Sequence, residues 1–383
     1  MKFRVDTTIL KICIVLTLVS LLFQCGILDN ENEAVPDIDA EIQAEMDALG
    51  IPSVVAGIIK DGKIVWQKAY GYADVQQNIP ATTNTIYTLM SVSKTVLATA
   101  AMQLWEQGRI ELDEDINQYL PFSVRNPKFP NKKITTRMLM THTSGLAHPD
   151  NEVPNWYRFY PDDQTPAMSD WIDQWILPGG SHYVPDVWKN WAPGTRELYS
   201  NIGTWLLAYL IERISGEEFT AYCENHIFEP LEMKNTGYWL ADLDSQDIAI
   251  PYVEGYRPID QYNSIAYPVG WLRSSINEFA HFLIAYMNQG VYNGKRILEV
   301  STINKMLEVQ NSASGVCLIW YKWLGEWYGH DGGGTGFSSW SGFNREDKTG
   351  IIILSNLYNE SIDLVTPGGR IFELIRFQAN QYR

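Results

Sequence analysis

Hydrophobic and polar positions near the start of the chain follow two patterns in succession. Residues 53–71, SVVAGIIKDGKIVWQKAYG, hold two runs rich in β-branched side chains on either side of Asp61-Gly62. An Asp-Gly pair between such runs is typical of a tight β-hairpin turn. Residues 87–108, YTLMSVSKTVLATAAMQLWEQG, are then apolar almost throughout and end at Gly108. This second pattern predicts a buried helix that stops at the glycine.

The rest of the chain alternates between helical spacing and strand-like runs. Apolar residues recur every three or four positions in several segments, which predicts helices near residues 40–49, at the start of 134–146, and near 201–215, 217–227, 275–289 and 372–382. The last quarter instead shows β-rich runs broken by turn residues, at 316–325, 326–343 and 349–357. Strands at both ends with helices between them predict an α+β fold. Its antiparallel sheet, built from N- and C-terminal strands, is flanked by helices and carries an inserted, mostly helical subdomain.

The region between residues 149 and 193 shows no clean periodicity and is rich in aromatic residues. Five tryptophans fall there, namely Trp156, Trp171, Trp175, Trp188 and Trp191. They either pack an irregular subdomain or form an aromatic wall over a substrate pocket. We favour the packing interpretation.

The first 24 residues have the layout of an export signal, in which a charged start precedes an apolar run that ends in Leu22-Phe23-Gln24-Cys25. This end resembles a bacterial lipoprotein signal, although Gln24 stands where a small residue is usual. We therefore predict a signal peptide at 1–24, lipidation of Cys25, an acidic tether at 25–39 and a folded domain at 40–383. An uncleaved membrane anchor is the alternative. In both cases the folded domain is exported to the cell envelope, and it contacts the membrane through its N-terminal anchor only.

Composition narrows the range of partners. The chain has 383 residues, 45% of them hydrophobic, so it can bury a large core. Its formal net charge of −16 disfavours a nucleic-acid surface, which needs a basic patch. The sequence has no C-x-x-C or H-E-x-x-H pattern, and we expect neither a metal nor a cofactor. Cys223 and Cys317 are expected as separate buried thiols, with a disulfide as the alternative.

Ser91 and Lys94 are three residues apart and project from the same face of the predicted helix. A positive charge near a helix N-terminus opposes the macrodipole, and burial among Val92, Val96 and Leu97 disfavours the charge further. Both effects lower the pKa of Lys94, and a neutral amine can act as a general base for the Ser91 hydroxyl. An isolated Ser-x-x-Lys pair also fits a helix start with a surface lysine, so its meaning depends on the surrounding motifs.

Three later motifs follow the Ser-x-x-Lys helix in order: THTSGL at 141–146, PGTRELYSN at 193–201 and GHDGGGTGFSS at 329–339. The combined pattern resembles the superfamily of serine β-lactamases and penicillin-binding proteins. Within it, the pattern is most similar to class C β-lactamases and their esterase and D-aminopeptidase relatives. The resemblance spans about residues 40–375, and it implies that the folded domain is catalytic.

The resemblance also implies roles for individual residues. Ser91 would be the acylated nucleophile, and Lys94 its base partner. Tyr199 would pass protons to the leaving group and later activate the deacylating water. Asn201 would hydrogen-bond Lys94 and the substrate.

The third motif has two candidates. His330-Asp331-Gly332 stands where this branch places it, and the resemblance implies that His330 and Gly332 bind substrate. The backbone N–H groups of Ser91 and Gly333 would then form an oxyanion hole. Lys348-Thr349-Gly350 spells a familiar motif of the superfamily, but it leads from charged residues into an apolar run, which is typical of a hairpin turn.

Other partial matches have structural interpretations. A second Tyr-x-Asn, at 286–288, lacks a preceding Pro-Gly-Thr turn. Ser144 lies in H-T-S-G, which is not the G-x-S-x-G of an α/β-hydrolase elbow. His142 is expected to support a loop behind the site.

The third motif also bears on the substrate. Members of the superfamily that take β-lactams, or peptides with a free carboxylate, usually carry a cation and a hydroxyl there. Here a mostly neutral imidazole, His330, precedes an acid, Asp331. If Asp331 faces the pocket, it repels a carboxylate at close range; if it points away, as alternation along a strand allows, this argument fails.

We therefore expect an exported serine hydrolase with a small-molecule ester, amide or peptide substrate that is neutral around the scissile bond. A β-lactamase and a D-Ala-D-Ala carboxypeptidase are alternatives within the same class. A binding or sensor protein without turnover is an alternative of another class.

Overall fold

The computed structural model describes residues 37–148, 165–323, 325–358, 365 and 367–382. The strands are β1 (Ser53–Lys60), β2 (Lys63–Asp74), β3 (Ile79–Pro80), β4 (Tyr87–Thr88), β5 (Tyr252–Val253), β6 (Arg257–Pro258), β7 (Arg273–Ser274), β8 (Val291–Tyr292), β9 (Lys295–Arg296), β10 (Tyr321–Lys322), β11 (Trp327–Gly334), β12 (Phe337–Asn344) and β13 (Thr349–Ser355). The helices are α1 (Ile38–Leu49), α2 (Ser93–Glu106), α3 (Thr136–Met140), α4 (Ile172–Ile176), α5 (Asn201–Ser215), α6 (Phe219–Cys223), α7 (Ile276–Met287), α8 (Val300–Met306) and α9 (Arg370–Ala379).

The main sheet has seven strands in the order β10-β11-β12-β13-β1-β2-β3, and every neighbouring pair is antiparallel. The last long strand, β13, pairs with the first, β1, in a register that places Ala56 opposite Ile353. The first and the last long strands of the described chain therefore lie side by side in the middle of the sheet. This arrangement confirms the predicted α+β fold.

The Asp61-Gly62 pair connects β1 to β2, as predicted. Both residues have positive φ, 48° for Asp61 and 74° for Gly62. A tight hairpin turn of this kind needs positive φ at both central positions, which explains why the sequence has Asp-Gly there.

Helices cover both faces of the main sheet, and successive side chains of β1 pack alternately on one face and the other. Val54, Ala56 and Ile58 pack with α1 and α9. Val55 and Ile59 belong to the larger core that contains α2, α5 and α7. Lys94 lies on this second side of the sheet, because α2 carries it.

A buried amide links the two halves of the sheet at the end of β13. Asn356 Nδ2 donates to the carbonyls of Tyr72 at 3.2 Å and Ile250 at 3.1 Å. The Ser53 hydroxyl donates to Asn356 Oδ1 at 2.7 Å and lies 2.8 Å from the Tyr87 hydroxyl. One completely buried side chain thus joins the start of β1, the end of β2 and the loop before β5.

The structure differs from the predicted elements in four places. Residues 316–320 form no strand, and of these five residues only Val316 pairs, through two isolated bridges. The helix predicted near 217–227 is split into α6 and a π-helical turn, Glu224–Phe228. α1 begins at Ile38, within the predicted tether. The helix predicted to carry Ser91 in its first turn begins at Ser93 instead.

Further expectations concern the tryptophans, the two cysteines and the N-terminal residues. Trp175 and Trp188 are buried in the main core, which favours the packing interpretation of the aromatic region, whereas Trp156 lies outside the described residues. Cys223 and Cys317 are buried free thiols. The predicted signal peptide, Cys25 and most of the predicted tether also lie outside the described residues. Among the residues described, no helix is long and apolar enough to cross a membrane.

Replacing Asn356 with alanine should lower the free energy of unfolding by about 2–3 kcal/mol, because several buried polar groups lose their partner. Asn380→Ala, at an exposed position at the end of α9, should change it by less than about 0.5 kcal/mol. Urea denaturation of both variants measures the difference. Equal effects would show that the Asn356 network does not stabilise the sheet.

Candidate active site

Ser91 lies in a short 3₁₀ turn, Met90–Val92, that leads into α2. The residue before it, Met90, has a φ of +46°. A bulky side chain in this conformation costs about 1–3 kcal/mol, so the surrounding structure must hold the turn in place. Backbone strain of this kind is common next to reacting groups.

Two segments hold the turn through Leu89. The Leu89 N–H donates to the Leu272 carbonyl at 2.8 Å, and the Ser339 hydroxyl of β12 donates to the Leu89 carbonyl at 2.6 Å. The Leu272 N–H in turn donates to the Ser93 hydroxyl at 3.2 Å. The position of Ser91 is therefore set by the sheet and by the segment before β7.

The glycines of β11 allow the strand to pass close to this turn. A Cβ on Gly332 would lie 2.5 Å from the Leu89 carbonyl oxygen, and one on Gly333 would lie 2.3 Å from the Tyr358 ring. Real side chains do not approach a backbone oxygen so closely. Glycine at position 332 is therefore required for the strand to reach the turn that carries Ser91, and glycine at position 333 leaves room for the Tyr358 ring.

Lys94 is completely buried and contacts Ser91 directly. Its Nζ donates to Ser91 Oγ at 2.8 Å and to the Val269 carbonyl at 2.6 Å. Burial lowers the pKa of Lys94 to about 7, although the charge of Asp331 partly opposes this shift. A substantial fraction of the amine is therefore neutral near pH 7 and can accept a proton from Ser91.

Tyr199 lies beside this pair. The Lys94 Nζ is 5.2 Å from the centroid of the Tyr199 ring, which is 4.5 Å from the His142 ring and 6.2 Å from the His330 ring. Asn201 is the first residue of α5 and lines the same cavity as Ser91 and Lys94.

His142 holds the loop that carries Tyr199. Its carbonyl accepts from the Leu198 N–H at 2.8 Å, and its Nδ1 accepts from the Ser200 N–H at 3.2 Å. The residues on both sides of Tyr199 are thus bound to one histidine. Burial, and then the charges of Lys94 and His330, hold the pKa of His142 well below its usual value. The loop that His142 is expected to support is therefore the loop that carries Tyr199.

His330 and Asp331 lie on opposite faces of the sheet. His330 pairs with Ser341, whereas Asp331 pairs with Trp340, which packs against Phe372 of α9 on the far side. The Asp331 side chain is half-exposed. Its carboxylate nevertheless lies 3.8 Å from His330 Nδ1, and its charge reaches Lys94. The expected close-range repulsion of a substrate carboxylate by Asp331 has no support, because Asp331 is not among the residues that line the cavity beside Ser91.

His330 itself faces the site and is buried. Its Nδ1 lies 2.5 Å from the Asp331 carbonyl oxygen, which can only accept, so that Nδ1 carries the proton. Its Nε2 then presents a lone pair, and it is buried without a hydrogen bond among the described residues. Burial lowers the pKa of His330, with Asp331 opposing and Lys94 reinforcing this shift.

The alternative motifs lie elsewhere. Lys348 has a φ of +53° in the turn between β12 and β13, as predicted for a hairpin. The Tyr286 hydroxyl is buried 2.7 Å from the Thr99 hydroxyl. Ser144 is buried and accepts from the Leu146 N–H.

A cavity of about 300 Å³ opens beside Ser91. It brings together Ser91, Lys94, Asn201 and Gly333 from three separate stretches of sequence. Tyr199, His330 and Gly332 do not line it, and they stand next to the residues that do. Sequence reasoning missed the aromatic part of the lining, Tyr262, Trp271 and Tyr358, because none of these residues belongs to a motif.

Comparison with known proteins gives relatives for nearly the whole chain. The beta-lactamase family model matches residues 38–366. "Protein flp" from Staphylococcus aureus is 25% identical over 337 residues, which cover 86% of this chain and 65% of that protein. "Putative penicillin-binding protein PbpX" from Bacillus subtilis is 28% identical over 328 residues, which cover 84% of this chain and 75% of that protein. The chain spans just under two thirds of the length of the first relative.

Solved structures share the fold. A penicillin-binding protein homologue from Pyrococcus abyssi, described as octameric, has a TM-score of 0.65 and 26% identity, covering 83% of this chain and 72% of that one. A penicillin-binding protein from Bacillus halodurans has a TM-score of 0.67 and 20% identity, covering 91% of this chain and 100% of that one. At 20% identity, the similarity to the Bacillus halodurans protein shows a shared fold alone.

The rate at which a fluorophosphonate probe labels Ser91 should rise with pH and level off above a midpoint near pH 7, because only the neutral form of Lys94 accepts a proton. Lys94→Met should label at least 100-fold more slowly, since general-base catalysis contributes about 10²–10⁴-fold. Lys63→Met, at an exposed position in β2, should label normally. Intact mass spectrometry from pH 5 to 9 measures these rates. A midpoint near pH 10 would show that burial does not tune Lys94.

His142→Asn should weaken the dependence of stability on pH. The unfolded chain protonates this histidine near pH 6.5 while the folded chain does not, so stability is lost as pH falls below 6.5. One such group contributes a slope of about 1.4 kcal/mol per pH unit between about pH 5 and 6. Asparagine tolerates the φ of +56° at this position, so the variant can still fold. Urea denaturation at several pH values measures the free energy of unfolding of both proteins. If His142 were protonated in the folded state, the variant and the wild type would show the same slope of this free energy against pH.

Proposed function

The chain belongs to the beta-lactamase family, and from this membership and the geometry of its site we propose that it hydrolyses a neutral ester or uncharged amide through an acyl-enzyme at Ser91. The observation that carries the proposal is the buried Lys94 amine, 2.8 Å from Ser91 Oγ, with a pKa of about 7. A lysine held in this way is poised as a base at neutral pH. Export and attachment through Cys25 are part of the proposal and rest on residues 1–25 alone.

In the proposed acylation each of these groups has one task. Neutral Lys94 takes the hydroxyl proton as Ser91 Oγ attacks the carbonyl carbon. The negative charge that develops on the carbonyl oxygen is stabilised by the backbone N–H groups of Ser91 and Gly333. Tyr199 passes a proton to the leaving oxygen or nitrogen as its bond to the carbonyl carbon breaks.

Deacylation returns the enzyme to its starting state. A water molecule gives up a proton to Tyr199 as its oxygen attacks the acyl carbon. The bond between that carbon and Ser91 Oγ then breaks, and Ser91 regains a proton from Lys94. The products are a carboxylic acid and the alcohol or amine released in the first step.

The neutral character of the substrate is supported by His330. In the tautomer set by the Asp331 carbonyl, His330 Nε2 offers a lone pair rather than a proton. A substrate carboxylate needs a donor, and an imidazole with a lowered pKa does not become one at pH 7. His330 is buried behind the residues that line the cavity, and in its neutral form it adds no positive charge there to attract a carboxylate.

A second candidate function is suggested by the names of the relatives. Three of the matched proteins are described as penicillin-binding proteins or a homologue of one. On this second interpretation Ser91 forms an adduct with a β-lactam that persists, with little turnover.

Parallel assays with a neutral aryl ester and with benzylpenicillin distinguish the two functions. We expect Ser91-dependent hydrolysis of the ester, absent from Ser91→Ala, and no lasting adduct with the drug. A lasting penicillin adduct without ester turnover would support the second candidate instead. Destruction of the drug, or faster turnover of an ester that carries a carboxylate, would contradict the neutral-substrate proposal.

A further inference from the structure

The cavity beside Ser91 has one wall that the reaction itself does not require. Met90, Val269 and three aromatic residues, Tyr262, Trp271 and Tyr358, face the same space as Ser91. Sites that bind the body of a small molecule are commonly lined in this way, with a few polar groups at the reacting end.

The position of the cavity relative to the reacting groups shows which half of a substrate it receives. Gly333, whose N–H is assigned to the oxyanion hole, lines the cavity, and the Tyr358 ring lies against Gly333. Tyr199, assigned as proton donor to the leaving group, does not line it. The leaving group therefore departs on the Tyr199 side, and the rest of the carbonyl compound extends into the cavity.

We propose that this cavity binds the acyl half of the substrate and selects a neutral aromatic or branched apolar acyl group, with Trp271 and Tyr262 as specificity-determining residues. The proposal rests on the acyl-enzyme function proposed above. It adds a substrate class and the residues that recognise it.

The wall is held rigidly by a buried arginine. Arg273 donates to the carbonyls of Tyr262 at 2.6 Å, Tyr238 at 2.7 Å and Trp271 at 3.3 Å. The backbones of both proposed specificity residues are thus tied to one guanidinium group. A wall ordered in advance loses little conformational entropy when it binds an acyl group.

Contacts between side chains complete this arrangement. The Tyr262 hydroxyl donates to the Thr335 carbonyl at 2.7 Å, next to the glycines of β11. The rings of Tyr262 and Trp271 meet edge to face, with centroids 6.0 Å apart. The shape of the wall therefore depends on packing and hydrogen bonds that are already formed.

The charge of the cavity lining disfavours the reaction of an acidic acyl group. Among the described residues around the cavity, Lys94 is the only one with a cationic or carboxylate side chain. A substrate carboxylate here would stabilise the ammonium form of Lys94 and raise its pKa, which removes the base that activates Ser91. An acidic acyl group would therefore bind in a way that prevents its own reaction.

Four esters with the same p-nitrophenyl leaving group test the proposal on the whole protein: acetyl, isobutyryl, phenylacetyl and succinyl. We expect kcat/KM for phenylacetyl to exceed that for acetyl by about 10- to 100-fold, with isobutyryl between them. The succinyl ester, whose free carboxylate enters the cavity, should be the slowest. Ser91→Ala should abolish all four reactions.

Variants show whether the wall is responsible. Trp271→Ala should lower kcat/KM for phenylacetyl more than for acetyl and so remove most of the preference, since the two substrates differ only in the group that meets the wall. Tyr358→Ala, at a half-buried position, tests the same wall if the tryptophan variant does not fold. Phe377→Ala, which removes an exposed aromatic ring from α9, should leave the preference unchanged.

The outcomes separate this inference from the function on which it rests. Ser91-dependent hydrolysis of all four esters at similar rates would overturn the acyl selectivity and leave the proposed hydrolase intact. A succinyl ester that reacts fastest would overturn the acyl selectivity and the neutral-substrate part of the proposed function, and it would leave only the acyl-enzyme at Ser91 intact. No Ser91-dependent hydrolysis of any ester would overturn the proposed function, and the acyl assignment with it.

Discussion

The amine of Lys94 is completely buried, and the folded protein keeps it there against a strong preference for water. A shift of its pKa from 10.5 to about 7 makes the folded state about 5 kcal/mol less stable below pH 7 than it would be with an unshifted lysine. Two hydrogen bonds, to Ser91 Oγ and to the Val269 carbonyl, offset part of this cost. The remaining cost must be met by the packing of α2 against the core, which explains why nearly all of that helix is buried.

The electrostatics of the neighbouring groups follow from the same burial. His142 and His330 also have lowered pKa values, mainly because they are buried and in part because Lys94 is near. Asp331 opposes the shift for both Lys94 and His330. The result is a cluster in which both imidazoles are neutral and a substantial fraction of Lys94 is neutral at pH 7. Such a cluster suits a reaction that begins by removing a proton from Ser91, and it provides no imidazolium that would attract a substrate carboxylate.

Local patterns could be predicted from the sequence, and contacts between distant segments could not. The Asp61-Gly62 hairpin and the contact of Ser91 with Lys94 both follow from spacing over a few residues. The orientation of Asp331 depends on where β11 starts and on its register with β12, which a single strand does not reveal. Tyr262, Trp271 and Tyr358 reach the site through loops that no periodicity describes.

The errors in the predicted elements have a similar origin. Residues 316–320 are apolar enough for a strand, but the Ile319 N–H donates to the Met140 carbonyl at 2.8 Å and the segment packs into the core without a ladder of strand hydrogen bonds.

Contacts between distant segments also explain why membership of the family does not determine the substrate. The relatives share the fold at 20–28% identity, and the fold positions Ser91 and Lys94 through the sheet and α2. The aromatic wall of the cavity comes instead from the segment before β7, where Arg273 binds the Tyr262 carbonyl, and from Tyr358 after β13, whose ring lies against Gly333. Selectivity can therefore change by substitution in these segments while the reacting groups keep their geometry.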